Sequence, residues 1–250
     1  MKNAVTLWAP AAVALASMAA PLAHGQFIYT AGHGDIGLAY EDGAFEPHWH
    51  LHSDAVVNGS PLGSDGEFEA HEVLAYVPDP SIARPPGSQW DFLGIAEGSP
   101  LWYLPQIEDS GKPFLGIASE ELTGSEWSSL TISLVSVSGP AGGHFSLWQD
   151  GLFGPTVHMT TSNGIDGTDL YAMTPGGHAH FNFGFTEPGI YDVTFQWNGM
   201  HTVDGLISAS ETFTFGVTAV PEPGEIGLAM ALGLAGFLGV RQWRRRAGQQ

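Results

Sequence analysis

The chain has eleven histidines against seven lysines and arginines, and six of the eleven fall in three tight groups. These are His33-Gly34-Asp35, His48-Trp49-His50-Leu51-His52 and His178-Ala179-His180. In a β-strand, residues two apart project from one face at a spacing of about 6.5 to 7 Å, so a His-x-His pair directs two imidazoles toward one ion. Three histidines in a row span about 13 Å, too far for one ion whose bonds to nitrogen are about 2.0 to 2.1 Å. At most two of His48, His50 and His52 serve one ion, and the spacing does not say which two. Two imidazoles from each of two strands suit tetrahedral zinc; an added His33 or Asp35 suits five- or six-coordinate manganese, iron or copper. The candidate metal ligands are therefore His33, Asp35, His48, His50, His178 and His180, and the expected cofactor is zinc or another transition metal. The competing reading of each group is a row of solvated histidines on a polar strand face.

Other chemistry is sparse. The sequence holds no GxSxG, HExxH, P-loop or dinucleotide fingerprint, so no catalytic residue is assigned and no enzyme is expected. Residues 163–169, Asn-Gly-Ile-Asp-Gly-Thr-Asp, carry carboxylates that suit calcium, but their spacing departs from the EF-hand pattern and a turn is the better expectation. Trp90, Trp102, Trp127, Trp148 and Trp197 offer a sugar-stacking platform, although aromatics of this size more often fill a core.

The elements that must position these groups read as strands. Tyr191, Val193, Phe195 and Trp197 alternate with Asp192, Thr194 and Gln196, and residues 212–215, Thr-Phe-Thr-Phe, alternate likewise. Glu46, His48, His50, His52 and Asp54 alternate with Phe45, Pro47, Trp49 and Leu51; His178, His180 and Asn182 alternate with Ala179, Phe181 and Phe183. Each of these strands has one apolar and one ligand-rich face. Leu130, Ile132 and Leu134 line a further strand, where Val135 and Val137 shift the apolar side and predict either a bulge or a strand buried on both faces. Glycine–proline pairs at 139–140, 154–155, 175–176 and 188–189 mark turns. A helix is expected over residues 118–127, with Ser119 as its cap, and a long ordered loop over the proline-rich residues 77–106. The fold class predicted is all-β, a single antiparallel β-sandwich over residues 26–220, Ig-like or jelly-roll-like.

Composition narrows the partners. The chain has 250 residues, no cysteine and a formal charge of −19, so thiol chemistry and disulfide frameworks are excluded. All acidic residues except Glu222 and Glu225 lie within 26–220, where Arg84 and Lys112 are the only lysine or arginine. Nucleic acid is a poor partner for such a surface.

Both ends carry targeting patterns. Lys2 precedes a small, apolar run over residues 4–20, and Ala23-His24-Gly25 places small residues before a cut at Gln26, the pattern of a signal peptide over residues 1–25. At the other end Pro221-Glu222-Pro223 precedes fifteen uncharged residues, 226–240, and then Arg241, Arg244, Arg245 and Arg246. As a helix those fifteen residues reach about 22 Å at about 1.5 Å each, a thin membrane span with its arginines held in the cytoplasm. This three-part order, over residues 221–250, resembles the PEP-CTERM sorting signal of Gram-negative bacteria. The resemblance implies an exosortase-type processing enzyme as partner, membrane association during sorting, and release to the cell surface or an exopolysaccharide-containing extracellular matrix.

The middle of the chain carries a second resemblance. Gly32-His33-Gly34-Asp35-Ile36-Gly37, then Ser136-Val137-Ser138-Gly139-Pro140 with Phe145-Ser146-Leu147-Trp148, then Gly177-His178-Ala179-His180-Phe181-Asn182-Phe183 with Pro188-Gly189-Ile190-Tyr191, resemble in order the choice-of-anchor M domain of bacterial surface proteins. The resemblance implies a surface-anchored domain, found in some lineages near metal-import transporters. By position its His-x-Asp falls on His33 and Asp35 and its His-x-His on His178 and His180. Phe183 stands where the family usually has tryptophan, and His52 is an addition.

The function expected from these readings is an exported, surface- or matrix-associated, non-enzymatic protein that binds a transition metal through paired histidines. A carbohydrate-binding or adhesive module of the matrix and a metal-dependent enzyme are the alternatives.

Overall fold

A computed structural model describes residues 27–218. The expected signal peptide, the Pro221-Glu222-Pro223 segment, the apolar residues 226–240 and Arg244, Arg245 and Arg246 lie outside the described residues. The strands run β1 (Phe27–Glu41), β2 (Ala44–Leu51), β3 (Val56–Val57), β4 (Ser60–Pro61), β5 (Gly66–Glu69) and β6 (Val73–Val77). They continue with β7 (Ile82–Ala83), β8 (Pro100–Leu104), β9 (Pro113–Ala118), β10 (Trp127–Ser138), β11 (Phe145–Gly151) and β12 (Gly154–Thr160). The last are β13 (Leu170–Ala172), β14 (His178–His180), β15 (Asn182–Phe185), β16 (Gly189–His201) and β17 (Gly205–Val217). Among the described residues no helix is long and apolar enough to cross a membrane.

Two sheets result. The larger has twelve strands, eight along the path β13-β10-β16-β17-β6-β1-β2-β5 and four off it, with β9 and β3 pairing β1, β14 pairing β9 and β4 pairing β3; the smaller has the order β12-β11-β15-β8-β7. Alternation builds the long hairpin of β16 and β17, which pair without a break from Gly189↔Val217 to His201↔Gly205. Its inward residues Tyr191, Val193, Phe195, Trp197, Phe213 and Phe215 are fully buried. Phe145, Phe183 and Phe185 of the smaller sheet meet them, with Phe145–Phe195 centroids at 6.2 Å and Phe185–Tyr191 at 4.9 Å. The two sheets thus share one apolar core. The bulge in β10 lies between Leu134 and Ser136, where the register against β16 shifts and Val135 turns to solvent.

Strand direction departs from expectation. β1 runs parallel to β6 and to β9, and β17 runs parallel to β6, so the larger sheet is mixed rather than antiparallel throughout. Period-two alternation reports which face is buried and carries no information about a neighbour's direction. β1 serves both halves of this sheet by changing partners at Gly32, pairing β6 and β3 before it and β9 and β2 from it onward. That residue has φ +81°, and a Cβ there would lie 2.3 Å from the Asp54 carbonyl oxygen.

Two local expectations are corrected. Residues 118–127 form no α-helix: Ala118 ends β9, a short 3₁₀ turn covers Gly124–Glu126, and Trp127 opens β10. Ser119 does not cap; its hydroxyl reaches the carbonyls of Thr174 and Gly177, and its N–H donates to Gly177 O at 2.9 Å. Those bonds tie the segment to the turn before β14 instead of to its own backbone. Residues 77–106 are more regular than a loop, holding β7, a 3₁₀ helix over Ser88–Leu93 and β8. Trp90 anchors this stretch edge-on against Trp148, 6.2 Å between centroids, in a small second core with Leu93 and Leu101.

Candidate metal centre

Register decides which histidines meet. β2, β1, β9 and β14 lie side by side in that order. Asp35 pairs with His50 on one side and Gly116 on the other, and Gly116 pairs in turn with His180. In the neighbouring row His33 pairs with Phe114, and the His52 N–H donates to the His33 carbonyl at 3.1 Å. Gly116 leaves the gap through which Asp35 and His180 approach each other. A Cβ at position 116 would stand 2.1 Å from Asp35 Oδ1.

The side chains converge over that gap. His33 Nε2 lies 3.2 Å from His180 Nε2 and 3.7 Å from Asp35 Oδ2, and His52 Nε2 lies 3.2 Å from the same Asp35 oxygen. One donor atom each from His33, His178 and His180 lies within 4.8 Å of the others, as do those of His33, Asp35 and His52. Both triads use His33, so they compete for one ion or combine around it. Bonds of about 2.0 to 2.1 Å at a tetrahedral angle separate two ligand nitrogens by roughly 3.3 Å, close to the spacing of His33 and His180. His180 stacks flat on Phe114, 3.7 Å and 4°, and His33 stacks on His52, 4.1 Å and 14°. His178 is oriented by Glu120, whose Oε1 lies 2.8 Å from Nδ1, leaving Nε2 as the other ring nitrogen.

Electrostatics favour the ligand form of these rings. Burial pushes His180 down to about 4, with Asp35 opposing the shift and His33 and His178 adding to it. Burial also lowers His33, again against the pull of Asp35. Both imidazoles are neutral at neutral pH, as metal ligation requires. Asp35 is 1% exposed, and its Oδ1 has no hydrogen-bond partner. The two basic side chains within the described residues are engaged elsewhere, Arg84 with Asp91 and Lys112 over the Tyr103 ring. Tyr29 offers no charge either: burial, then Asp35, holds its phenol well above the ordinary value, and its hydroxyl donates to Gly32 O at 2.6 Å.

Of the residues singled out in the sequence, His33, Asp35, His178 and His180 come together. His48 and His50 do not join His178 and His180, because β1 and β9 stand between the two pairs, a separation of three strand spacings or about 14 Å. His50 stacks on His52 at 4.8 Å and groups with His52 and Asp65, whereas His48 faces Glu67 and Glu121. His52, the extra histidine of its row, is the one of the three that reaches Asp35. Sequence reasoning missed Asp65, Glu120 and Gly116. The only signal for His52 was its place in the same two-residue alternation, and Gly116 has no signal until the strand order is known.

The other candidate sites resolve differently. In the loop over residues 163–169, Asp169 is buried and accepts from the N–H groups of Thr160 and Asp166, while Asp166 accepts from Thr168; this is a self-satisfied turn. Trp127, Trp148 and Trp197 are buried, and the Trp102 indole donates to Asp79 at 2.8 Å. No protein-family model matches the chain, and no curated protein matches it.

Proposed function

We propose that the two sheets form a β-sandwich and that this domain binds a divalent transition metal, zinc by preference, through His33, His178 and His180 with the carboxylate of Asp35. One observation carries the reading. Asp35 is a buried carboxylate with an unsatisfied oxygen, burial favours the neutral form of His33 and His180 beside it, and no lysine or arginine faces it. A buried charge without a cation is costly, and a metal ion held by those same imidazoles supplies the cation. His52, whose Nε2 lies 3.2 Å from Asp35 Oδ2, would hold that carboxylate in place.

The biological setting proposed is a non-enzymatic protein exported to the cell surface or matrix. It is supported by the signal-peptide pattern, by the PEP-CTERM-like order of residues 221–250 and by the likeness of residues 30–217 to choice-of-anchor M domains. Competition for zinc against a chromophoric chelator tests the site on the full chain. Asp35→Asn and His178→Ala with His180→Ala should each weaken binding by about tenfold or more. Affinity unchanged in both variants would remove the proposal.

A further inference from the structure

We propose a second cation site, separate from the His33 centre and sharing no ligand with it, formed by His48, Glu67 and Glu121. Donor atoms of these three lie within 4.8 Å of one another. They come from β2, its paired neighbour β5 and the turn after β9.

The histidine is what distinguishes this group from an ordinary patch of surface acids. His48 is 8% exposed, lodged in the space left by Gly37, where a Cβ would lie 2.7 Å from Nε2. Its Nδ1 donates to the Glu46 carbonyl at 3.0 Å, so Nδ1 carries a proton and is taken. Nε2 is the ring nitrogen left over. It is buried and makes no hydrogen bond, yet it faces Glu121 Oε1 at 3.0 Å. A proton or a metal ion between that nitrogen and the carboxylate holds the two in contact, and Glu67 gives a metal ion its third ligand. Metal bonds of roughly 2.0 to 2.2 Å meeting at 90° to 110° separate a nitrogen and an oxygen by about 3.0 to 3.4 Å, so the spacing suits a shared ion.

The surroundings have the same sign. His48 also lines a cleft of about 530 Å³ whose wall carries Glu41, Glu46, Glu69, Glu72 and Glu211 and no basic residue. One imidazole and two carboxylates form a harder donor set than the three imidazoles around His33, so this site suits manganese(II) where the other suits zinc.

The test uses the full chain loaded with one equivalent of zinc, titrated with manganese(II) in excess magnesium, with free manganese read by electron paramagnetic resonance. One equivalent should bind. Glu67→Gln and Glu121→Gln, both at exposed positions that the fold tolerates, should each weaken manganese by roughly tenfold or more while leaving zinc affinity unaltered. His178→Ala with His180→Ala should do the reverse, losing zinc and keeping manganese. The proposal is overturned if the parent binds no stoichiometric manganese or if the two glutamine variants bind it as the parent does. It is equally overturned if nitrogen NMR finds protons on both ring nitrogens of His48 whether or not manganese is present, since a proton then fills the gap.

Discussion

The carboxylate of Asp35 occupies the space that a side chain at Gly116 would fill, with Oδ1 only 2.1 Å from the position of a Cβ there. Two adjacent strands therefore meet at a point where one supplies a buried charge and the other supplies nothing but room. Gly116→Ala should displace Asp35 from His33 and His180. The expected result is a destabilisation of about 1 to 3 kcal/mol in urea unfolding together with loss of zinc affinity. Full affinity in the alanine variant would show that Asp35 has no part in the site.

Metal-free stability should fall on acidification. His180 binds its proton at about 4 in the folded chain and near 6.5 when unfolded, and His33 is shifted in the same direction. Between those values the unfolded state holds more protons, so stability is full above about pH 6.5 and declines toward pH 4. Urea midpoints of the metal-free chain across that window should drop with pH, and the drop should be shallower in His180→Gln. An equal slope in the variant would mean that the ring is not desolvated as described.

The turn over residues 163–169 should prove structural. Asp169 accepts two backbone N–H groups, Thr160 at 2.7 Å and Asp166 at 2.8 Å, and is nearly inaccessible. Asp169→Ala leaves both donors unpaired and should cost about 1 to 3 kcal/mol, in thermal or urea unfolding, with or without calcium. A calcium-dependent difference between variant and parent would reinstate the ion-binding reading.

Much of this architecture was legible residue by residue. Two-residue alternation identified the inward faces of β2, β16 and β17, and of the two readings Val135 and Val137 allowed for β10, a bulge or a strand buried on both faces, the structure has the bulge. The same alternation placed His178 and His180 on one face but hid that the stretch from His178 to Phe185 leaves one sheet for the other. β14 pairs with β9, whereas β15 pairs with β8 and β11. Pairing partners are set by long-range packing, and no local pattern encodes them. For that reason His33, expected only as an added ligand, lies beside His178 and His180, while His48 and His50 were grouped with histidines three strands away. Ser119 misled in the opposite way, since a residue suited to cap a helix spends its hydroxyl on Thr174 and Gly177.

The metal content of the purified full chain tests the central claim most directly. After gel filtration at neutral pH in the presence of zinc, elemental analysis of the parent and of three variants decides the matter. The parent and His48→Ala with His50→Ala should retain one tightly held zinc, while His178→Ala with His180→Ala and His33→Ala should retain none. A parent without stoichiometric zinc, or a chain that keeps its ion after His33 is replaced or after His178 and His180 are replaced, would contradict the account.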